Sequence, residues 1–178
     1  GVGIEPKKDL RRLKPYKPVP PPNNVKFFFI YHKPDRELAV TEIYKIFKDG
    51  YNGKYPFPRM EEFISQPFEI EKETSISFDT IDEAVSVVQK AIKNKDKLPD
   101  TKYFAIYISP IAKWDKDPKR LSIYHRIKEI LLYEGISSQV IYKDNIFKEA
   151  FNLFLPNIET AILAKLGGVP WRLKRDTT

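Results

Sequence analysis

Two short stretches constrain this chain most. Residues 25–32 read Val-Lys-Phe-Phe-Phe-Ile-Tyr-His, and residues 103–109 read Tyr-Phe-Ala-Ile-Tyr-Ile-Ser. Both are apolar and aromatic, too short for a helix, and lack the polar alternation of a strand with one wet face, so each is expected to be a buried strand. Pro110 closes the second. Helical spacing separates them. It predicts helices over 36–48, with Asp35 placed as cap, and over 80–95, with Asp79 or Thr80 as cap. A third is expected over 119–134, stopped by Gly135, followed by a short strand at 138–142. A helical stretch from about residue 145 should be interrupted at Pro156, and a last helix over 157–166 should end at Gly167-Gly168. Residues 50–76 carry Gly50, Gly53, Pro56, Pro58 and Pro67, which break any long element. Strands alternating with helices imply an α/β fold, a sheet with helices on its faces.

Six of the fifteen prolines fall in residues 1–22, which are expected to form an extended arm. That arm holds six basic residues (Lys7, Lys8, Arg11, Arg12, Lys14, Lys17) against Glu5 and Asp9, a net +4, and residues 172–178 add +2. Of the total of +7, the body therefore carries only +1. A broad basic surface gripping nucleic acid anywhere along its backbone does not fit that distribution, so any anion site in the body must be local. With no cysteine, disulfides, thiolate catalysis and cysteine-ligated zinc are excluded, and the composition fits a cytoplasmic protein. Two histidines, His32 and His125, exclude a histidine-rich metal site. No apolar run approaches the roughly 18 residues of a membrane span.

The chemistry concentrates in the last third. On a wheel of helix 119–134, Ser122, His125, Arg126, Glu129 and Tyr133 share one arc, and Leu121, Ile123, Ile127, Ile130, Leu131 and Leu132 fill the other. Lys128 falls inside the apolar arc, with Tyr124 one turn before it. A single such lysine usually snorkels, burying its stem and reaching water. The last helix repeats the pattern: Lys165 lies amid Ile158, Ala161, Ile162 and Leu166, while Glu159 points away. An inward ammonium needs an anion, and two without local acids suggest a phosphate-sized anion supplied from outside.

Tyr124-x-x-x-Lys128, then Ser138-Gln139 opening a strand, then Asn157 and Lys165 before Leu166-Gly167-Gly168-Val169-Pro170-Trp171, resembles the MID domain of Argonaute and Piwi proteins. The resemblance is specific over 120–173 and only topological over 24–119. It implies an α/β fold of Rossmann-like type, a mostly parallel sheet flanked by helices. It implies a pocket for the 5′-phosphorylated end of a single-stranded guide RNA or DNA. In that pocket Tyr124 would stack on the first base, Lys128 and Lys165 would hold the phosphate, and Gln139 and Asn157 would donate hydrogen bonds. Gln139 would also help place a divalent cation such as Mg2+, which relatives complete with the C-terminal carboxylate of a PIWI domain.

The resemblance further divides the chain into a basic arm at 1–23, a MID-like domain at 24–166 and the start of the MID–PIWI connection at 167–178. The sequence stops at Thr178, where the PIWI domain would start, and no PAZ-like region precedes residue 24. It thus resembles one piece of a larger or split protein of the short prokaryotic type, not itself an enzyme, with a PIWI domain and an effector protein as expected partners.

Two other readings compete. Tyr-x-x-x-Lys on a helix is also the catalytic pair of short-chain dehydrogenases, but those need a glycine-rich turn after the first strand, and Lys33-Pro-Asp-Arg36 has no glycine. The second is a protein-interaction α/β module docking through its arm. His125 is expected on the solvent side, Trp114 in a surface loop, and Trp171 as a packing anchor.

Overall fold

The two apolar stretches lie side by side at the centre of a parallel sheet. The computed structural model describes residues 3, 5–22, 24–148 and 150–172. Strand β1 (Asn24–His32) pairs with β4 (Thr101–Ser109) over eight register positions, from Asn24 opposite Thr101 to Tyr31 opposite Ile108. On the far side of β4 runs β5 (Ser137–Tyr142), with Ile106 opposite Gln139. On the far side of β1 lie two short strands, β2 (Glu69–Ile70) and β3 (Ile76–Phe78). All five run parallel, and among the described residues β5 has a strand partner on one side only. The α/β expectation therefore holds, with the short strands β2, inside 50–76, and β3, at its end, as additions.

Helices cover both faces. Phe27, Phe29, Phe104, Ile106 and Ile141 point to one face. There they meet α2 (Thr41–Asp49), α3 (Met60–Ile64) and α7 (Phe151–Lys165) through Ile43, Phe47, Phe63, Leu155, Ile162 and Leu163. Phe28, Ile30, Ala105 and Tyr107 point to the other face, against α4 (Ala84–Lys93) and α5 (Pro118–Tyr133) through Val88, Ile92, Ile123, Ile127 and Leu131. This two-sided burial explains why β1 and β4 show no polar alternation. Each fully buried Phe contributes roughly 1.5–3 kcal/mol of hydrophobic transfer energy.

Several local expectations are corrected. The arm is not wholly extended. Pro6–Leu13 form helix α1, and Leu10 and Val19 join the core. Lys17 then forms an antiparallel bridge with Val169, tying the arm to the segment after α7. Asp35 does not cap the following helix. Its side chain is buried and paired with Lys143 at 2.9 Å, at the start of α6 (Lys143–Ile146), and the regular helix begins only at Thr41. At α4 neither Asp79 nor Thr80 is the cap: Glu83 holds the N-cap position without a side-chain cap, and its carboxylate accepts from the backbone N–H groups of Asp79 and Thr80 in the preceding turn. Pro156 lies inside a continuous α7, whose packing through Leu155, Ile162 and Leu163 outweighs the lost backbone bond.

Candidate functional site

Helix α5 starts where sequence chemistry dictates. The Asp117 carboxylate accepts from the Lys119 backbone N–H at 2.9 Å, and Pro118 occupies the first helical position. Its inward stripe is Ile123, Ile127 and Leu131, narrower than the expected arc. Leu121 and Leu132 are exposed, and Tyr124 and Lys128 sit half-buried at the rim of the stripe. The Lys128 ammonium stands 6.0 Å from the centroid of the Tyr124 ring, which also meets the His125 ring edge-on at 5.0 Å. His125 is exposed, as expected.

Helix α7 is rotated from the sequence expectation. Leu155, Glu159, Ile162, Leu163 and Leu166 face the core, so Glu159 is buried rather than pointing away, and Ile158 and Ala161 are only half-buried. The same rotation moves Lys165 out of the apolar face to its edge, where it can reach β5. Gly167 ends the helix at φ +95°, and the Gly168 N–H donates to the Leu163 carbonyl at 3.0 Å. This sharp stop leaves Lys165 in the last turn.

Because β5 is an edge strand between α5 on one face and α7 on the other, side chains from both faces meet along it. Gln139 and Ile141 point to the α7 side, whereas Val140 packs toward α5. Lys165 Nζ donates to the Ser138 carbonyl at 2.7 Å and to Gln139 Oε1 at 2.9 Å. Gln139 Nε2 donates to the Val140 carbonyl at 3.0 Å. Side chains thus engage edge carbonyls of β5 that no strand pairs. Lys165 as a residue is exposed, yet its ammonium is tucked against the strand. That burial, and secondly the nearby Lys128 charge, hold its pKa below the ordinary lysine range. Among the described residues neither Lys128 nor Lys165 is ion-paired to a carboxylate.

Gln139 and Lys165 therefore meet at the β5 edge, and Lys128, with Tyr124 beside it on α5, lies close enough for its charge to act on Lys165. Asn157 does not join them directly. It lines a small cavity of about 110 Å³ at the carboxyl end of β5, with Tyr142, Asn145 and Phe154. Two contributors escaped the sequence reading. One is the Ser138 carbonyl, which no side-chain pattern reports. The other is Tyr142, whose pKa is raised by burial and then by Tyr124, a neighbour that the alternation of β5 could have revealed.

A larger cleft, about 550 Å³, opens at the amino ends of β4 and β5. Lys165 lines it, but Tyr124, Lys128 and Gln139 do not. Its other two lysines are engaged: Lys97 with Glu134 at 2.6 Å, and Lys102 with the carbonyls of Pro20 and Leu166. Among the described residues, only Lys97 of the cleft's lysines is paired with a carboxylate, whereas Lys102 and Lys165 donate to neutral oxygens. Trp114 is 83 % exposed in the loop before α5, as expected, whereas Trp171 is 40 % exposed and is no buried anchor.

No protein-family model matches this chain, and no curated protein matches it. A solved structure does: the Argonaute protein from Methanocaldcoccus janaschii, with a TM-score of 0.57 and 18 % sequence identity. The match covers 87 % of this chain and 21 % of that one, so the chain spans about a fifth of that protein. The fold is thus that of an Argonaute-like domain, an α/β parallel sheet flanked by helices. Among the described residues no helix is long and apolar enough to cross a membrane.

Proposed function

We propose that this domain binds guide nucleic acid and anchors the 5′-phosphorylated end of the strand at the β5 edge. The observation that carries the reading is the Lys165 ammonium held on the Ser138 carbonyl and Gln139 Oε1, within reach of the Lys128 charge and with no carboxylate paired to either lysine among the described residues. Like charges held together cost stability, and an incoming phosphate of up to two negative charges relieves that cost. Lys165 would exchange the Ser138 carbonyl for phosphate oxygens, and Lys128 would close on the phosphate from the α5 side. With Oε1 held by Lys165, the Gln139 Nε2 that now donates to the Val140 carbonyl would pass its hydrogen bond to the ligand. Tyr124 would offer its ring to the first base. The Argonaute fold supports the guide-binding part of this reading. The role is anchoring rather than catalysis, and a PIWI domain and an effector protein are its proposed partners.

Each charge-assisted hydrogen bond is worth roughly 1.5–3 kcal/mol. Two of them should make a 5′-phosphorylated oligonucleotide bind on the order of 10²-fold tighter than its 5′-hydroxyl counterpart. Fluorescence titration at one fixed salt concentration reads this ratio directly. Equal affinities would refute end recognition.

A further inference from the structure

We infer that this site holds its phosphate without a divalent cation, because the Lys165 ammonium occupies the one side-chain oxygen that a cation there would use. The inference rests on the reading of the β5 edge as a phosphate anchor. It departs from the Mg2+ that the family resemblance implies.

A magnesium ion at a phosphate end needs near-octahedral oxygen ligands at about 2.0–2.1 Å and draws them from carboxylates, carbonyls, water and the phosphate itself. Among the described residues no cluster of three or more His, Asp or Glu side chains could hold a metal ion. At the site itself the candidate ligand is Gln139 Oε1. That oxygen accepts from Lys165 Nζ at 2.9 Å, and the Gln139 amide nitrogen is turned to the Val140 carbonyl. A dication within bonding distance of Oε1 would stand beside one ammonium, with Lys128 near enough to depress that ammonium's pKa after burial has done so. The donor set therefore suits an anion between two lysines and does not suit a dication. Placing a fixed ammonium on Gln139 gives the phosphate the positive charge that a metal would otherwise bring, and Lys165 is already oriented before the ligand arrives.

The test is a set of fluorescence titrations of the full chain with one oligonucleotide carrying either a 5′-phosphate or a 5′-hydroxyl. They are run in EDTA and again in Mg2+ at matched ionic strength. The expected result is a preference for the phosphorylated strand on the order of 10²-fold in EDTA that Mg2+ leaves unchanged. Lys165→Ala should lower the EDTA preference by roughly tenfold or more. A wild-type preference that disappears in EDTA and returns with Mg2+ would overturn the cation-free inference while leaving end recognition intact. An EDTA preference untouched by Lys165→Ala would also overturn it, because the positive charge would then come from elsewhere. No preference in either buffer would instead refute the anchor reading beneath it.

Discussion

In β4 every side chain from Tyr103 to Ser109 is buried, whereas in β5, one strand over, only Ile141 is. The two strands are paired neighbours in one parallel sheet, yet their surroundings differ. β4 is flanked by strands on both sides and clad by helices on both faces, so its sequence can be apolar throughout. β5 has a free edge, and its backbone carbonyls and half-buried side chains must be met by polar groups. Lys165 and Gln139 meet them here, and this is what gathers charge at the edge. Stability therefore concentrates in the middle of the sheet and the proposed ligand chemistry at its rim. Substitutions should separate the two.

The largest effect is expected at the centre. Phe104 is fully buried and stacks at a tilt on Phe27, with ring centroids 5.1 Å apart. Phe104→Ala should cost about 3–5 kcal/mol in a urea melt, by lost transfer energy and a residual cavity. A loss below about 1 kcal/mol would mean that the centre is less tightly packed than its burial implies.

Next comes Lys128 on the α5 side of the edge. Lys128→Ala should leave the urea midpoint within the roughly ±0.5 kcal/mol of an ordinary surface change. It should, however, reduce the preference for a 5′-phosphate by about tenfold or more in the same titration. A variant that melts early and keeps the preference would reverse the division between centre and edge.

Tyr124 should give a smaller and different effect. Tyr124→Ala is expected to weaken phosphorylated and unphosphorylated strands alike, by about 1–3 kcal/mol, through the lost stacking surface. Tyr124→Phe should cost less, because the ring face survives. If Tyr124→Ala changed the phosphate preference itself, the ring would be acting through Lys128, which lies 6.0 Å from its centroid.

The legibility of the sequence follows the same division. The central strands were readable because an unbroken run such as Phe27-Phe28-Phe29-Ile30-Tyr31 has few folds that can bury it. The pairing of Lys165 with Gln139 and of Lys128 with Tyr124 agrees with the pattern that carries the resemblance. The phase of α7 was not legible. A wheel that begins at residue 157 leaves out Phe151 and Leu155, so it turns Glu159 outward and Lys165 inward, whereas packing buries Glu159 and sets Lys165 at the edge. The arm departs from its composition for a related reason. Its prolines suit an extended chain, but Leu10 and Val19 find core positions that propensity alone cannot foresee. The short strands β2 and β3 exist because β1 offers them a partner, which is a tertiary cause. Asn157 belongs to the family pattern, yet it stands at the small cavity, about two helical turns from Lys165.

The most direct measurement is the titration of the Lys165 ammonium itself, followed by NMR on lysine side chains labelled at Cε and assigned by Lys165→Arg. In the free domain, burial and then the charge of Lys128 hold its pKa below the ordinary lysine value of about 10.4. A phosphate between the two lysines stabilises the charged form, so binding should raise that pKa. By linkage, affinity should then fall as pH rises through the lower, free-state value. The expected result is a clear upward shift with a 5′-phosphorylated oligonucleotide and little or none with its 5′-hydroxyl counterpart. An unshifted Lys165, or the same shift with both strands, would contradict an anchor for the terminal phosphate at the β5 edge.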